Sequence, residues 1–375
     1  MAMVKTKTRA FACPAKYIQG AGEMDLIETY TSAYGKKALV LLDGFLYEEI
    51  NDRLQKAYSG SESTVHVEKF NGECSYSEVE RVSKIANSFG AQVIVGIGGG
   101  KTLDTTKVVA NEMGIALIVA PTCASSDAPT SAMSVMYTDD GVYIKNIRHK
   151  NNPALVILDT EIVAKAPVRL FVAGMGDALS TVFEARANAQ SDTGNYVGKG
   201  YRRCRAALAL AELSYEILME DGRRAVKAVT SGILSEAVEN VIEANTLLSG
   251  VGFENTGCAA AHGVHSGLTE ILSTHRFLHG EKVAFGVLCQ LVMENTPQAE
   301  FEKVARFCFD IGLPLCLRDL DVEPTPENVR IIAEKMVNNN TLVYAEPFHI
   351  TLDFVYQSIF AADMLGSSYK TVWGK

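Results

Sequence analysis

The sequence predicts an α/β N-terminal domain with a mostly parallel sheet, followed by an all-helical C-terminal domain. Three observations predict it. Up to about residue 160, short apolar runs alternate with helix-length segments, which is the pattern of βα units. Across 160–172 the β-branched runs almost disappear and periodic segments of helical length take over. Within the first half, Gly96-Ile-Gly-Gly-Gly-Lys101 joins an apolar run to a helical one, as a βα turn does. A chain of 375 residues exceeds the size at which one core stops growing, so two domains are expected. They are placed at 1–165 and 166–375.

Taken in order, Lys37-Ala-Leu-Val-Leu-Leu-Asp43 is a continuous apolar run, as expected of a strand covered on both faces. Further strands are read at 63–70, 92–96, 116–119 and 154–159, with a hairpin-like stretch at 137–143. Helices are read between them at 46–58, 76–89 and 101–113. Gly20-Ala-Gly-Glu23 lacks strand and helix around it and is read as a loop. The second domain reads as helices at 177–190, 200–220, 224–249, 259–272, 281–293, 299–310 and 326–338. No low-complexity linker or repeat interrupts the chain.

Composition narrows the function. The apolar fraction is 47% and the charged fraction 21%, with 44 acidic against 35 basic residues, which excludes the basic surface of a nucleic-acid binder. No stretch of 18 apolar residues is present, and the basic start is followed by no apolar leader segment, so a soluble cytoplasmic protein without membrane association is expected. The eight cysteines form no Cys-x-x-Cys pair and read as buried free thiols.

Two groups of residues carry chemistry. The first surrounds the glycine run. Gly98, Gly99 and Gly100 let backbone amides at a helix start approach a phosphate, and Lys101 adds a charge; the alternative is a tight turn that needs glycine for packing. Asp43, ending an early strand, suits the two hydroxyls of an adenosine ribose and repels the extra phosphate of NADP, or else bonds its own turn. Pro121 to Ser131 follows the 116–119 strand. Its Thr122 and Ser131 suit a nicotinamide and its Asp127 a substrate hydroxyl, with a capped turn as the plainer reading.

The second group is metal-capable. Asp177, His262 and His279 lie 85 and 17 residues apart, so only a fold brings them together, unlike the tight clusters of structural zinc knuckles. Asp177 follows Gly174-Met-Gly and is placed at a helix start, where a lone acid reads as an N-cap. Four of the seven histidines (262, 265, 275 and 279) fall within eighteen residues. His262 and His265 share a helical face, His265 being the candidate for a supporting or substrate-binding role, while His275 reads as exposed. Buried histidines that merely satisfy core hydrogen bonds remain the alternative. A phosphate cradle beside an open metal site suggests alcohol oxidation.

These segments together resemble the NAD-dependent glycerol dehydrogenases of the iron-containing alcohol dehydrogenase superfamily. The resemblance rests on Gly98-Gly-Gly-Lys-Thr-Leu-Asp-Thr-Thr-Lys107, Pro121-Thr-Cys-Ala-Ser-Ser-Asp-Ala-Pro-Thr-Ser131, Gly174-Met-Gly-Asp-Ala-Leu-Ser180, Ala261-His-Gly-Val-His-Ser-Gly267 and His279-Gly-Glu-Lys-Val-Ala-Phe-Gly286. It implies the dehydroquinate synthase-like fold, an NAD-binding domain at 1–165 and a metal-binding domain at 166–375. It implies oxidation of glycerol to dihydroxyacetone, with Zn2+ on Asp177, His262 and His279. The implied NAD contacts are Asp43, Gly98, Gly99, Gly100, Lys101, Asp104, Thr122, Ser131 and Tyr137. Asp127 and His265 are the implied catalytic pair, and together with Phe253 they face the substrate.

Thr181 stands four residues after Asp177, where iron-using relatives place a further histidine, and so favours zinc. A small polyol partner and a homo-oligomer, up to an octamer, are also implied. Another vicinal diol or an amino alcohol is the near alternative. A dehydroquinate synthase-like lyase would need more basic residues in these loops, and a zinc-stabilised structural protein would not need the cofactor loop.

Overall fold

The structure, a computed structural model, describes residues 6–198, 200–339 and 341–374. The leader assignment, insofar as it concerns residues 1–5, lies outside them. The first unit carries β1 (Tyr17–Gly20), α1 (Ile27–Thr31), β2 (Lys37–Leu42), α2 (Tyr47–Tyr58), β3 (Thr64–Lys69), α3 (Tyr76–Phe89), β4 (Val93–Gly98), α4 (Gly100–Met113), β5 (Ala116–Pro121), β6 (Met133–Tyr137), β7 (Tyr143–Arg148), β8 (Leu155–Asp159) and α5 (Thr160–Lys165). Six strands form one wholly parallel sheet in the order β1-β8-β5-β4-β2-β3, and β6 and β7 form a separate antiparallel hairpin.

Local chemistry sets these elements. From Ala38 to Leu42 every residue of β2 is buried, as a strand covered on both faces requires. Ser75 accepts from the Glu78 amide to start α3, and Gly90 ends it at φ 72°, a left-handed conformation that suits glycine. β1 was not anticipated, because its four half-buried residues form an edge strand and carry no apolar run. The hairpin turn covers 138–142, so the stretch read as a hairpin is mostly its turn.

The second unit is helical: α6 (Val168–Ser191), α7 (Arg205–Thr230), α8 (Glu236–Glu243), α9 (Ser249–Thr256), α10 (Ala260–Leu268), α11 (His279–Met293), α12 (Gln298–Ile311), α13 (Pro326–Glu334) and α14 (Leu352–Trp373). Residues 6–12 belong to this unit, held by the Ala10 amide on the Arg202 carbonyl. The sheet unit runs from Cys13 to Pro167 and includes Gly232–Leu234.

One expectation here is corrected. α7 runs unbroken through Gly222, where a Cβ would crowd Met175 and Phe307, so this glycine serves packing and does not end the helix. The break falls instead at Gly232, with φ +68°. α14, with 22 residues, was not read from the sequence. Among the described residues no helix is long and apolar enough to cross a membrane, and all eight cysteines are free thiols.

Candidate active site

At the end of β4, the glycines divide into two kinds. Gly98 has φ +156°, and a Cβ there would lie 2.8 Å from the Asp43 Cβ and from the Thr102 hydroxyl, so packing and backbone both demand glycine. Gly99 and Gly100 differ: a Cβ at either would meet nothing within 4 Å. Glycine at these two positions is not explained by the protein's own packing. They open onto a cavity of about 390 Å³, also lined by Asp43, Asn71, Gly72 and Thr102. No side chain caps α4, so its first amides are free to meet an anion. This is a cradle that fits a dinucleotide's pyrophosphate.

Asp43 borders the same cavity. One of its carboxylate oxygens accepts from the Phe45 amide at 3.0 Å and the other from the Thr102 hydroxyl at 3.3 Å, so the turn-forming role exists and leaves further lone pairs on each oxygen. The Lys101 ammonium sits 2.5 Å from Glu73 and 5.0 Å from the Tyr137 ring centre, which spends part of its charge inside the protein. Burial, with nearby acidic groups, pushes the Tyr137 phenol up to about 12, so it remains a donor.

Asp104 points elsewhere. Only 6% exposed, its carboxylate accepts from the Val135 amide at 2.9 Å and lies 3.5 Å from the Lys107 ammonium, so it ties α4 to β6. Lys107, which sequence reasoning passed over, donates to the Ala128 and Met133 carbonyls and holds the 121–131 loop against α4. Its signal was the Asp-x-x-Lys spacing on one helix face. In that loop the Thr122 amide donates to Gly98, Ser131 bonds Ala128, and Asp127 immediately precedes a short turn, Ala128–Thr130.

The three metal-capable residues do come together. The His279 Nε2 lies 3.0 Å and the His262 Nε2 3.6 Å from one oxygen of Asp177, and all three ligand atoms fall within 4.8 Å of one another. A four-coordinate ion with bonds of 2.0–2.1 Å spaces its ligands about 3.4 Å apart, so the set fits a divalent ion. Burial raises the Asp177 pKa, but the facing His279 and His262 outweigh it and hold the carboxyl below its usual range. His265 Nε2 lies 3.0 Å from His279 Nδ1. Burial, together with His279 and Lys282, pushes His265 well below the usual imidazole range, so its neutral ring can accept that N–H. His275 is exposed against Thr269 and stands apart. Phe253 is buried in α9, edge-on to Tyr196.

Asp177 is not at a helix start. α6 begins nine residues earlier, and its residues are buried without a break from Phe171 to Ala185, which corrects the N-cap reading. Gly174 and Gly176 resemble a breaker, yet a Cβ on Gly176 would collide with the Gly280 carbonyl, and one on Gly280 with the Ala173 carbonyl. Backbone-to-backbone crossing of α6 and α11 is what lets Asp177 and His279 meet. Glu281 accepts from the Leu278 amide at 2.7 Å and so starts α11 at His279. Gly280→Ala is therefore expected to cost about 1–3 kcal/mol through overpacking and to weaken metal binding with it. Thermal unfolding and metal analysis check this, and wild-type values in both would refute the crossing argument.

Glu184 was also missed. It is wholly buried two turns beyond Asp177, and its second oxygen lies 2.7 Å from His262 Nδ1. Its signal was the seven-residue spacing from Asp177 along one face of a helix.

The model of the iron-containing alcohol dehydrogenase family matches residues 14–160. A glycerol dehydrogenase of Escherichia coli O6:H1 is 45% identical over 97% of this chain and 99% of its own. A glycolaldehyde reductase of Halobacterium salinarum is 41% identical over 96% of this chain and 98% of its own. The crystal structure of a probable glycerol dehydrogenase from Sinorhizobium meliloti superposes with TM-score 0.90 at 47% identity, covering 96% of this chain and 99% of the other. With such likeness over nearly its whole length, the chain belongs to the NAD-dependent glycerol dehydrogenases of the iron-containing alcohol dehydrogenase family.

Proposed function

We propose that this enzyme oxidises glycerol to dihydroxyacetone with NAD, using one zinc ion on Asp177, His262 and His279. The convergence of two imidazole Nε2 atoms on one buried carboxylate oxygen carries the reading. Thr181 is paired with Ser249 at 2.8 Å and offers no imidazole, which favours zinc with three protein ligands over iron with four. When bound, zinc lowers the pKa of a glycerol hydroxyl and the nicotinamide accepts the hydride.

This chain's residues supply the rest. The open faces of Gly99 and Gly100 and the start of α4 take the pyrophosphate, with Gly98 shaping the turn and Lys101 beside it. Asp43 accepts from the adenosine ribose. Thr122, Ser131 and Tyr137 act on the nicotinamide side. Asp104 acts by fixing α4 against β6. Asp127 and His265 orient the diol or relay its proton, and Phe253 shapes the substrate pocket. A small polyol substrate, a cytoplasmic location and a homo-oligomer, up to an octamer, belong to the same reading. The Halobacterium relative's name supports a second reading, in which a different small diol or hydroxyaldehyde is preferred.

A panel of glycerol, 1,2-propanediol, 2,3-butanediol, an amino alcohol and glycolaldehyde, assayed with NAD and NADP on zinc-loaded protein, tests both. The highest kcat/KM is expected with glycerol and NAD. Asp43→Ala should weaken NAD use by about 1.5–3 kcal/mol, as a hydrogen bond to a charged acceptor is lost, and narrow the preference over NADP. Equal wild-type efficiency with the two cofactors would remove Asp43 from the site, and a faster non-glycerol substrate would shift the reading to the second.

A further inference from the structure

We propose that Glu184 is a positioning residue that presets His262 for the metal by fixing both the backbone and the tautomer of that histidine. The proposal rests on the metal reading above and adds to it a residue outside the ligand set.

α10 begins with Ala259 at its N-cap, a residue with no side chain able to bond the free amides that follow. Other elements satisfy them. The Ala260 amide donates to Glu346 and the Ala261 amide to Gln290, each at 3.1 Å. The Ala259 and His262 amides both donate to one oxygen of Glu184, at 2.8 and 2.9 Å. The other oxygen of Glu184 lies 2.7 Å from the His262 ring at Nδ1. A single buried carboxylate thus grips His262 at its backbone and at its ring.

An ionised carboxylate only accepts hydrogen bonds. The short contact therefore places a proton on Nδ1, so that Nε2, 3.6 Å from Asp177, is the ring nitrogen that a metal would take, its lone pair exposed once the ring is neutral. The same contact makes the ring a stronger donor to a metal. Helix geometry explains why one element can do both jobs. Asp177 and Glu184 are seven residues apart on α6, nearly two full turns, so they project from the same face. The first reaches the metal point and the second reaches the far side of the imidazole. Burying this anion is offset by the three N–H groups it receives and by the positive end of α10.

A plain helix cap would use only the oxygen on the two amides. Glu184→Gln separates the two roles, because an amide side chain has one acceptor and two donors. If its oxygen stays on the backbone amides, its NH2 faces Nδ1 and drives the ring proton to Nε2, the atom the metal needs. If it turns over, two backbone N–H groups face an NH2. A capping role survives the first arrangement with metal binding intact, whereas a positioning role does not.

The experiment measures zinc affinity of the full chain by competition with a chromophoric chelator, alongside circular dichroism and NAD binding. For Glu184→Gln and Glu184→Ala the expected result is unchanged NAD affinity and a zinc Kd raised about 10–100-fold. A folded Glu184→Gln protein with wild-type zinc affinity overturns the proposal. Should both variants fail to fold, nitrogen-15 NMR of histidine-labelled, metal-stripped wild type decides, under conditions where the ring is neutral. A proton on Nδ1 of His262 supports preset geometry, and a proton on Nε2 overturns it. Asp177→Ala is the separating control. If it keeps full zinc, the metal reading falls and takes this proposal with it; if it loses zinc while Glu184→Gln keeps it, only the role of Glu184 falls.

Discussion

His262→Ala and His279→Ala are each expected to lose bound zinc and about 1000-fold in activity together, while still binding NAD. The size follows from the role assigned to the ion. Stabilising the charge that develops on a hydroxyl oxygen is worth several kcal/mol, and each 1.36 kcal/mol is a factor of ten in rate. Both rings approach the same Asp177 oxygen, so neither ligand is redundant. NAD binding should persist because the sheet unit has a core of its own, built on Val40, Leu42, Val95, Ile97 and Ile118. His265→Ala is expected to differ, since this ring touches His279 and is not one of the three proposed ligands. It should keep more metal and lose turnover. Metal analysis and steady-state rates on the purified single variants make the comparison. Full zinc and near-native turnover in both His262→Ala and His279→Ala would sink the site. The same result in one alone would reassign that ligand, with His265 or His275 next in line.

The parallel sheet was legible because burial on both faces leaves an unbroken apolar run, and β2, β5 and β8 follow such runs closely. The three proposed ligand residues were legible as residue types and as family motifs, but their geometry was not. Gly174-Met-Gly176 reads locally as a helix break, and only the crossing with Gly280 shows why Gly176 sits inside a buried helix. Glu184 was hidden for a related reason. A lone acid in Phe183-Glu-Ala-Arg186 reads as a solvated face until the packing of α10 shows it to be wholly enclosed. Asp104 illustrates the converse. It lies inside a cofactor motif, yet its carboxylate serves the Val135 amide, and motif membership alone did not distinguish a ligand contact from a structural one.

Replacing Gly99 should weaken NAD binding far more than folding, and this prediction separates the cradle from a mere turn. The backbone at Gly99 is extended, at φ −82° and ψ −179°, which any residue can adopt. A side chain there would meet no protein atom near its Cβ. The cost to the folded state of Gly99→Val is therefore limited to the poorer N-cap, about 1 kcal/mol, or a few degrees in Tm. Once NAD is present the branched side chain would occupy the space through which the pyrophosphate reaches the first amides of α4. Losing one such charge-assisted hydrogen bond costs about 1.5–3 kcal/mol, so the NAD Kd should rise about 10–100-fold. Gly98→Val provides the contrast, because φ +156° and the nearby Asp43 and Thr102 side chains oppose any Cβ, and its loss should appear in folding first. Calorimetric NAD titration and thermal unfolding of the two variants test the pair. A folded Gly99→Val protein with unchanged NAD affinity would move the pyrophosphate away from this loop, and equal thermal stability of the two variants would remove the distinction between their glycines.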